Sequence, residues 1–294
     1  MDWPILMLFF FGGLSALLLL GLPVAFAFLF VNVIGVYVFW GGTIGLQQLI
    51  LSIDSSISTF VLVPVPMFIL MGTVIFHSGI AYRMIDVLDE WLGRIAGRLA
   101  LLAIGAGSLF GTLTGVAMGS VAMLGSTLVP DMERRGYSKS MSIGPILASG
   151  SLAIMIPPSA LGVILASMGQ FSVGKLLIGI LLPGLLLAVV YATYVVIRCH
   201  IQPHLAPAYE VVPTPIGPRI MRTLQYVLPL VIIIGIVIGT IFAGVATPTE
   251  AAALGALFCF LLVACYGKLT WQVIKKSVAA ATTISVMVFV FLAG

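Results

Sequence analysis

Charge is what this chain lacks. Of 294 residues, 13 are lysine or arginine and 9 are aspartate or glutamate, against 61% hydrophobic, whereas soluble domains carry roughly a quarter charged residues. A chain so poor in charge cannot cover a water-facing surface, which excludes soluble enzymes and binding modules and leaves a polytopic helical membrane protein. The net charge of +4 does not point to nucleic acid, because the basic residues fall between apolar segments and report topology instead. Cys199, Cys259 and Cys265 have neither metal nor redox spacing and read as packing residues. The sequence holds no H-E-x-x-H zinc pair, no G-x-x-x-x-G-K-[ST] phosphate loop and no G-x-S-x-G nucleophile elbow. Enzymatic readings and direct coupling to ATP within this chain therefore find little support, and an ion gradient is the natural energy source. The first segment has an acidic start at Asp2, no basic leader region and no small-residue cleavage site, so it reads as a retained span.

What is present is a series of apolar segments at 4–20, 23–40, 60–80, 99–130, 141–166, 174–198, 224–243 and 249–266, with another beginning near 278. The uncharged stretch 99–130 has an awkward length. A membrane helix needs roughly 20 apolar residues, so this stretch is too long for one crossing and too short for two. Arg94 and Arg98 precede it, and Arg134, Arg135 and Lys139 follow it. Positive flanks stay on the cytoplasmic side, so both ends face one compartment and the segment is a re-entrant hairpin turning at Thr114-Gly115. With a periplasmic amino terminus, every lysine and arginine except Lys175 then falls on the cytoplasmic side.

Non-helical backbone survives at membrane depth only where protein or a water-filled cavity satisfies it, so the hairpin tip is where a bound solute is sought. Thr112, Thr114, Gly115 and Ser120 supply hydroxyls and exposed backbone there. Among the glycines at 105, 107, 111, 115, 119 and 125, those at 105, 107 and 125 read as close-packing positions. The segment 140–169 supplies the second half of the site. Adjacent Pro157 and Pro158 each remove a backbone donor and clash with the preceding turn, and Gly150 loosens the helix before them. A helix broken across roughly 150–158 frees carbonyls that suit Na⁺, while the positive ends of half-helices suit an anionic substrate.

Other segments read more simply. Residues 82–98 place Met84, Ile85, Leu88, Trp91, Leu92 and Ile95 at three- and four-residue spacing, as in a helix lying in the interface plane. The segment 199–219 carries five prolines together with His200, His204 and Glu210, and reads as an irregular cytoplasmic connector. In GVATPTEAAALG at 244–255, Thr247 or Thr249 caps a helix, Pro248 suits its first turn and Glu250 complements its positive end; a proton- or ion-ligand role for Glu250 ranks second. Asp54 reads as solvated, and His77 as a packing residue at a helix end. Leu22-Pro23 and Thr247-Pro248 each open a span, and PMFILMGTV at 66–74 resembles VMVFVFLAG at 286–294. An inverted repeat is the expectation, with the site between its copies.

Three motifs, GSTLVPDMERRGY at 125–137, SGSLAIMIPPS at 149–159 and GVATPTEAAA at 244–253, resemble in order and spacing the large membrane (M) subunit of the tripartite ATP-independent periplasmic (TRAP) transporters. The resemblance covers nearly the whole chain. It implies an all-α, elevator-type inverted-repeat fold, in which a scaffold supports a moving domain built on opposed hairpins. It implies a Na⁺-coupled symporter of small organic anions, mostly carboxylates, in the bacterial inner membrane and without a cofactor beyond the coupling ion. The implied partners are a small four-helix membrane subunit of the Q type and a periplasmic substrate-binding protein of the P type.

In the family a sodium ion lies between the first hairpin tip and the broken helix that follows. On this chain the resemblance maps it to Thr114-Gly115 and to Gly150, Ala153, Ile156 and Pro158, with Ser149, Ser151 and Pro157 in the same motif. Where the family often shows Gly-Ser-Ser at the tip this chain has Gly115-Val116-Ala117, which leaves Thr112, Thr114 or Ser120 as hydroxyl ligands. Ala153 stands where glycine is common. The expected organisation is scaffold helices and an interfacial arm over 1–98, transport-domain hairpin and broken helix over 99–170, a span and connector over 171–223, and the start of the second repeat over 224–294. Family members continue through a second hairpin and a second broken helix. The resemblance therefore implies that the second sodium site and half of the substrate cavity lie outside these residues, and that this polypeptide alone does not complete transport. Two other readings stand beside it: an elevator-type carboxylate symporter without a binding protein, and an ABC-type permease subunit, whose cytoplasmic coupling-helix motif is not found.

Overall fold

The computed structural model describes residues 3–93, 95–115, 117–207 and 215–293, and its regular elements are all helical among them. The sequence features at Asp2, Arg94, Val116, Glu210 and Pro213 lie outside the described residues. The chain divides into two compact units, one made of residues up to Leu62 together with those from Thr282 onward, the other of Val63–Ala281.

In the smaller unit, α1 (Trp3–Met7) and α2 (Gly13–Leu19) are joined by a π-helical turn at Leu8–Gly12. The antiparallel return is α3 (Val24–Phe39), which starts after Pro23 in extended backbone. Their contact is aromatic: Phe9 meets Phe39 edge-on at 5.4 Å, and Phe10 covers Gly35, where a β-carbon would stand 2.9 Å from the Phe10 ring. The next helix, α4 (Thr43–Ile57), was not foreseen among the apolar segments. Gly41 and Gly42, both at positive φ, turn the chain out of α3 and into it. Its Gln47, Gln48, Ser52 and Asp54 make it too polar for a span. Asp54 is exposed and accepts a hydrogen bond from the Ser58 hydroxyl at 3.0 Å.

The larger unit opens with α5 (Pro64–His77) and α6 (Ile80–Trp91). Ile80, Ala81, Met84, Ile85 and Val87 make the buried face of α6, and Arg83 and Asp86 its exposed one. The amphipathic pattern is thus realised as a helix, which stops at Trp91 rather than continuing to 98 because the chain turns at Gly93, at positive φ. Next come α7 (Arg98–Thr114) and α8 (Ala117–Arg134), then α9 (Lys139–Met155) and α10 (Ala160–Met168), which together form one apolar segment bent by 50°. The long α11 (Val173–Ile201) follows, then α12 (Ile216–Tyr226), α13 (Leu228–Phe242), α14 (Pro248–Cys265) and α15 (Trp271–Ala293), whose last residues belong to the smaller unit.

Two sequence expectations shift here. The connector read over 199–219 is bounded more tightly, since α11 continues to Ile201 and α12 starts at Ile216. The last apolar helix starts at Trp271, not near 278, because Lys275 and Lys276 lie inside it. Among the described residues five helical stretches are long and apolar enough to cross a membrane, namely Phe60–His77, Val173–Ile201, Ile216–Phe242, Pro248–Cys265 and Trp271–Ala293, and the bent α9–α10 pair, counted as one span, makes a sixth.

Polar contacts concentrate at the basic end of the larger unit. Arg98 is 3% exposed and folds back onto α6. Its Nε donates to Asp89 Oδ1 at 2.7 Å, and its terminal nitrogens reach Asp89 Oδ2 at 2.7 Å and the Gly93 carbonyl at 3.1 Å. The α6–α12 pair is joined by Trp91 Nε1 donating to Thr223 Oγ1 at 2.8 Å, by Arg222 on Glu90 at 2.5 Å, and by Arg219 over the Trp91 ring at 5.4 Å. His77 packs edge-on against Phe76, and its Nδ1 lies 2.8 Å from the Thr73 carbonyl, which is a packing role.

Candidate functional site

The hairpin read from charge placement is a pair of helical arms, α7 and α8, whose turn follows Thr114 at Gly115. Gly115 takes φ +60, a left-handed conformation that closes α7 as its N–H bonds to the Gly111 carbonyl at 2.8 Å. The break in the following pair is equally local. Ile156 and Ser159 are extended, and the cis Pro157-Pro158 bond lies between them. Proline at both positions removes donors that a continuous helix would need. The next helix restarts under its own cap, with the Ser159 hydroxyl accepting from Gly162 N at 3.1 Å.

Small residues bring the two breaks together. A β-carbon on Gly111 would stand 2.6 Å from that of Ala153, and one on Gly107 would collide with the Ser149 side chain. Helices α7 and α9 therefore run parallel in near backbone contact through small residues four apart on each. On the other arm, a β-carbon on Gly150 would lie 2.6 Å from Val121. At the tip, one on Gly115 would stand 2.9 Å from the Ala160 nitrogen, and one on Gly72 of α5 would collide with Thr114. Gly184 of α11 backs the break itself, since its β-carbon would meet the Met155 carbonyl oxygen at 2.7 Å.

Four helix ends consequently meet in one region: the carboxyl ends of α7 and α9 and the amino ends of α8 and α10. A helix carries about half a negative charge at its carboxyl end and about half a positive charge at its amino end, and its last carbonyls have no intrahelical partner. The region thus offers carbonyl oxygens to a cation and N–H groups to an anion. None of its sequence-predicted residues is ionisable, so the helix ends supply its electrostatics.

The hydroxyls are oriented by their own helices. Thr112 donates to the Leu109 carbonyl at 2.7 Å, Thr114 to Gly111 at 3.2 Å, Ser120 to Ala117 at 2.9 Å and Ser149 to Ile146 at 2.7 Å. A hydroxyl that donates backward has lone pairs with which it can accept, and a cation is held by such acceptors. All four are buried.

The structure brings Thr114, Gly115, Gly150, Ala153 and Ile156 into this region and sets Ser149 deeper, against Gly107. Ser151 faces elsewhere: half-buried, it lies 3.2 Å from the Tyr191 hydroxyl of α11. Pro157 and Pro158 line a small apolar cavity with Leu177 and Ile178 of α11 and Val237 and Ile241 of α13. Gly119 and Gly125 meet nothing where a β-carbon would stand, as does Gly105. Sequence reasoning missed Gly72, Gly184 and the Ser159 cap; a small residue inside an apolar span was the available signal for the two glycines.

Glu250 stands outside this arrangement. Its carboxylate accepts from Thr247 N and from the Thr247 hydroxyl, both at 2.8 Å, and the Thr247 oxygen accepts from Glu250 N at 3.3 Å. That reciprocal capping box makes it a helix cap. Among the described residues no group of three or more His, Cys, Asp or Glu could hold a metal ion.

A helical hairpin facing a broken apolar helix pair, in a chain with five helices long and apolar enough to cross a membrane among the described residues, defines a helical membrane protein. The chain matches, over residues 11–294, the family model described as "Tripartite ATP-independent periplasmic transporter, DctM component". It belongs to that family of transporters and is a multi-pass membrane protein. It is 32% identical over 84% of its length to the ectoine TRAP transporter large permease protein TeaC of Halomonas elongata. It is 30% identical over 95% of its length to the C4-dicarboxylate TRAP transporter large permease protein DctM of Rhodobacter capsulatus. A third relative is the sialic acid TRAP transporter large permease protein SiaM of Vibrio cholerae, 28% identical over 95% of the chain. The chain spans 56%, 66% and 64% of these relatives' respective lengths.

Proposed function

We propose that this chain is the large membrane subunit of a secondary active importer that couples Na⁺ entry to uptake of a small organic anion. The convergence of the α7 and α9 carboxyl ends at Thr114-Gly115 and Ile156 carries the reading, because it gathers carbonyls and backward-donating hydroxyls without a fixed charge. Na⁺ sits there on backbone oxygens of Gly150, Ala153, Ile156 and Pro158 with Thr114, and Thr112 or Ser120 as further hydroxyl ligands. A carboxylate substrate uses the amino end of α10 nearby. The relatives are named for ectoine, C4-dicarboxylates and sialic acid, all carboxylate-bearing solutes, which supports that substrate class. A periplasmic binding protein delivers the substrate and a small membrane subunit of the Q type completes the permease. The chain lies in the inner membrane with its amino terminus periplasmic, which puts all basic residues except Lys175 on the cytoplasmic side. Residues 99–170 act as the moving domain, between scaffold helices over 1–98 and the connector over 171–223, with 224–294 beginning the second repeat.

The test is Na⁺-driven uptake into proteoliposomes holding the assembled transporter. Thr114→Ala combined with Pro158→Ala should raise the Na⁺ concentration needed for half-maximal uptake. Unchanged sodium dependence in a folded double variant would remove the cation site from this region.

A further inference from the structure

A second feature of the larger unit is unrelated to the tip. Helices α9 and α11 part toward their basic end, leaving a groove of about 430 Å³ floored by Ile104 of α7. Its wall is apolar along Met141, Pro145 and Ala148. Its outer edge is the exposed face of a membrane-spanning helix, with Val190 51% and Tyr194 60% exposed. Arg198 lies in its lining, with no carboxylate among the described lining residues, and Ser140 lines it too. Lys139 adds a second positive charge beside Ser140.

We propose that this groove binds one anionic phospholipid, its acyl chain on the Met141–Ala148 wall and its phosphate on Arg198 and Ser140. Charge complementarity selects this occupant. An apolar partner helix laid in the groove would offer the guanidinium no counter-charge, whereas a phosphate gives it a charge-assisted hydrogen bond. Basic pockets between membrane helices are suited to anionic head groups for the same reason. Occupancy has a route to the transport machinery. Tyr191, also in the lining, meets Ser151, next to Gly150 in the helix that breaks at Ile156. A lipid in the groove holds α11 against that helix. The proposal does not rest on Na⁺ coupling.

Delipidated protein in detergent, titrated with phosphatidylglycerol or phosphatidylcholine and examined by native mass spectrometry, tests this. One phosphatidylglycerol should be retained in preference to phosphatidylcholine. Arg198→Gln, at an exposed position, should weaken phosphatidylglycerol retention roughly fivefold and leave phosphatidylcholine unchanged. Ala148→Phe should fill the groove and abolish the saturable site, with Gly144→Leu as a second filling variant should the first not fold. Equal retention of the two lipids by the unmodified protein would overturn the proposal. So would an undiminished preference in Arg198→Gln, or a photo-crosslinker at Tyr194 that captures a protein in place of lipid in native membranes.

Discussion

Gly72 of α5 packs directly on Thr114, the last residue of the first hairpin arm, so that any β-carbon on the glycine would overlap the threonine. The hairpin tip is therefore wedged on α5 by steric contact. Gly72→Ala must push the tip away. Overfilled cores lose about 1–3 kcal/mol, and the same displacement should weaken Na⁺ dependence. Thermal unfolding of the purified variant, together with the sodium dependence of uptake, checks both. Gly105→Ala, where nothing stands within 4 Å, should leave sodium dependence unchanged and should not lower thermal stability.

The parallel contact between α7 and α9 makes a related prediction with a different readout. Gly111→Ala meets Ala153 at 2.6 Å, and Ala153 belongs to the proposed cation site. Ala153→Gly should remove the closer of the two clashes, leaving the Cα at 2.9 Å, and rescue Gly111→Ala in part, with a coupling of about 0.5–3 kcal/mol in a double-mutant cycle. Additive effects would mean that the helices do not touch through this pair.

Arg98 and Arg222 both pair with acids of α6, but unequally. Arg98 is 3% exposed and bonds to the Asp89 carboxylate, the Asp89 carbonyl and the Gly93 carbonyl. The Arg222 side chain is 56% exposed and pairs with Glu90. Arg98→Ala should cost about 1.5–3 kcal/mol, the value of hydrogen bonds to a charged group. Arg222→Ala should cost about 0–1 kcal/mol and become neutral in high salt, as exposed pairs do. Denaturation midpoints at low and high salt separate the two.

The legible parts of this molecule were those written in charge and proline. The uncharged run from Leu99 to Pro130 with arginines at both ends permits a hairpin and little else, and Pro157-Pro158 dictates where a helix must stop. Helix α6 was readable because its apolar residues recur at helical spacing. Helix α4 was not, since Gln47, Gln48, Ser52 and Asp54 make it resemble a loop on hydropathy, and only its local hydrogen bonding makes it a helix. The partners of the tip were also unreadable. Gly72 lies some forty positions from Thr114 in the chain, and a small residue in an apolar span marks a close approach without naming its partner. Ser151 was grouped with Gly150 because they are adjacent, yet neighbouring residues on a helix point about 100° apart, and its hydroxyl turns to Tyr191 instead.

The capping box at Thr247 and Glu250 gives a prediction that separates a structural carboxylate from an ion ligand. Both side chains are committed to each other and to the first turn of α14. Thr247→Ala should destabilise the protein by about 0.5–2 kcal/mol, and Glu250→Ala should lower stability in the same direction. Thr247→Ser keeps the acceptor and should restore most of that loss. Sodium dependence and substrate affinity should stay at the unmodified level in all three variants, because the cap lies on a different helix from the broken span and the hairpin. A shift in sodium dependence in Glu250→Ala that Thr247→Ala does not reproduce would identify Glu250 as an ion ligand after all.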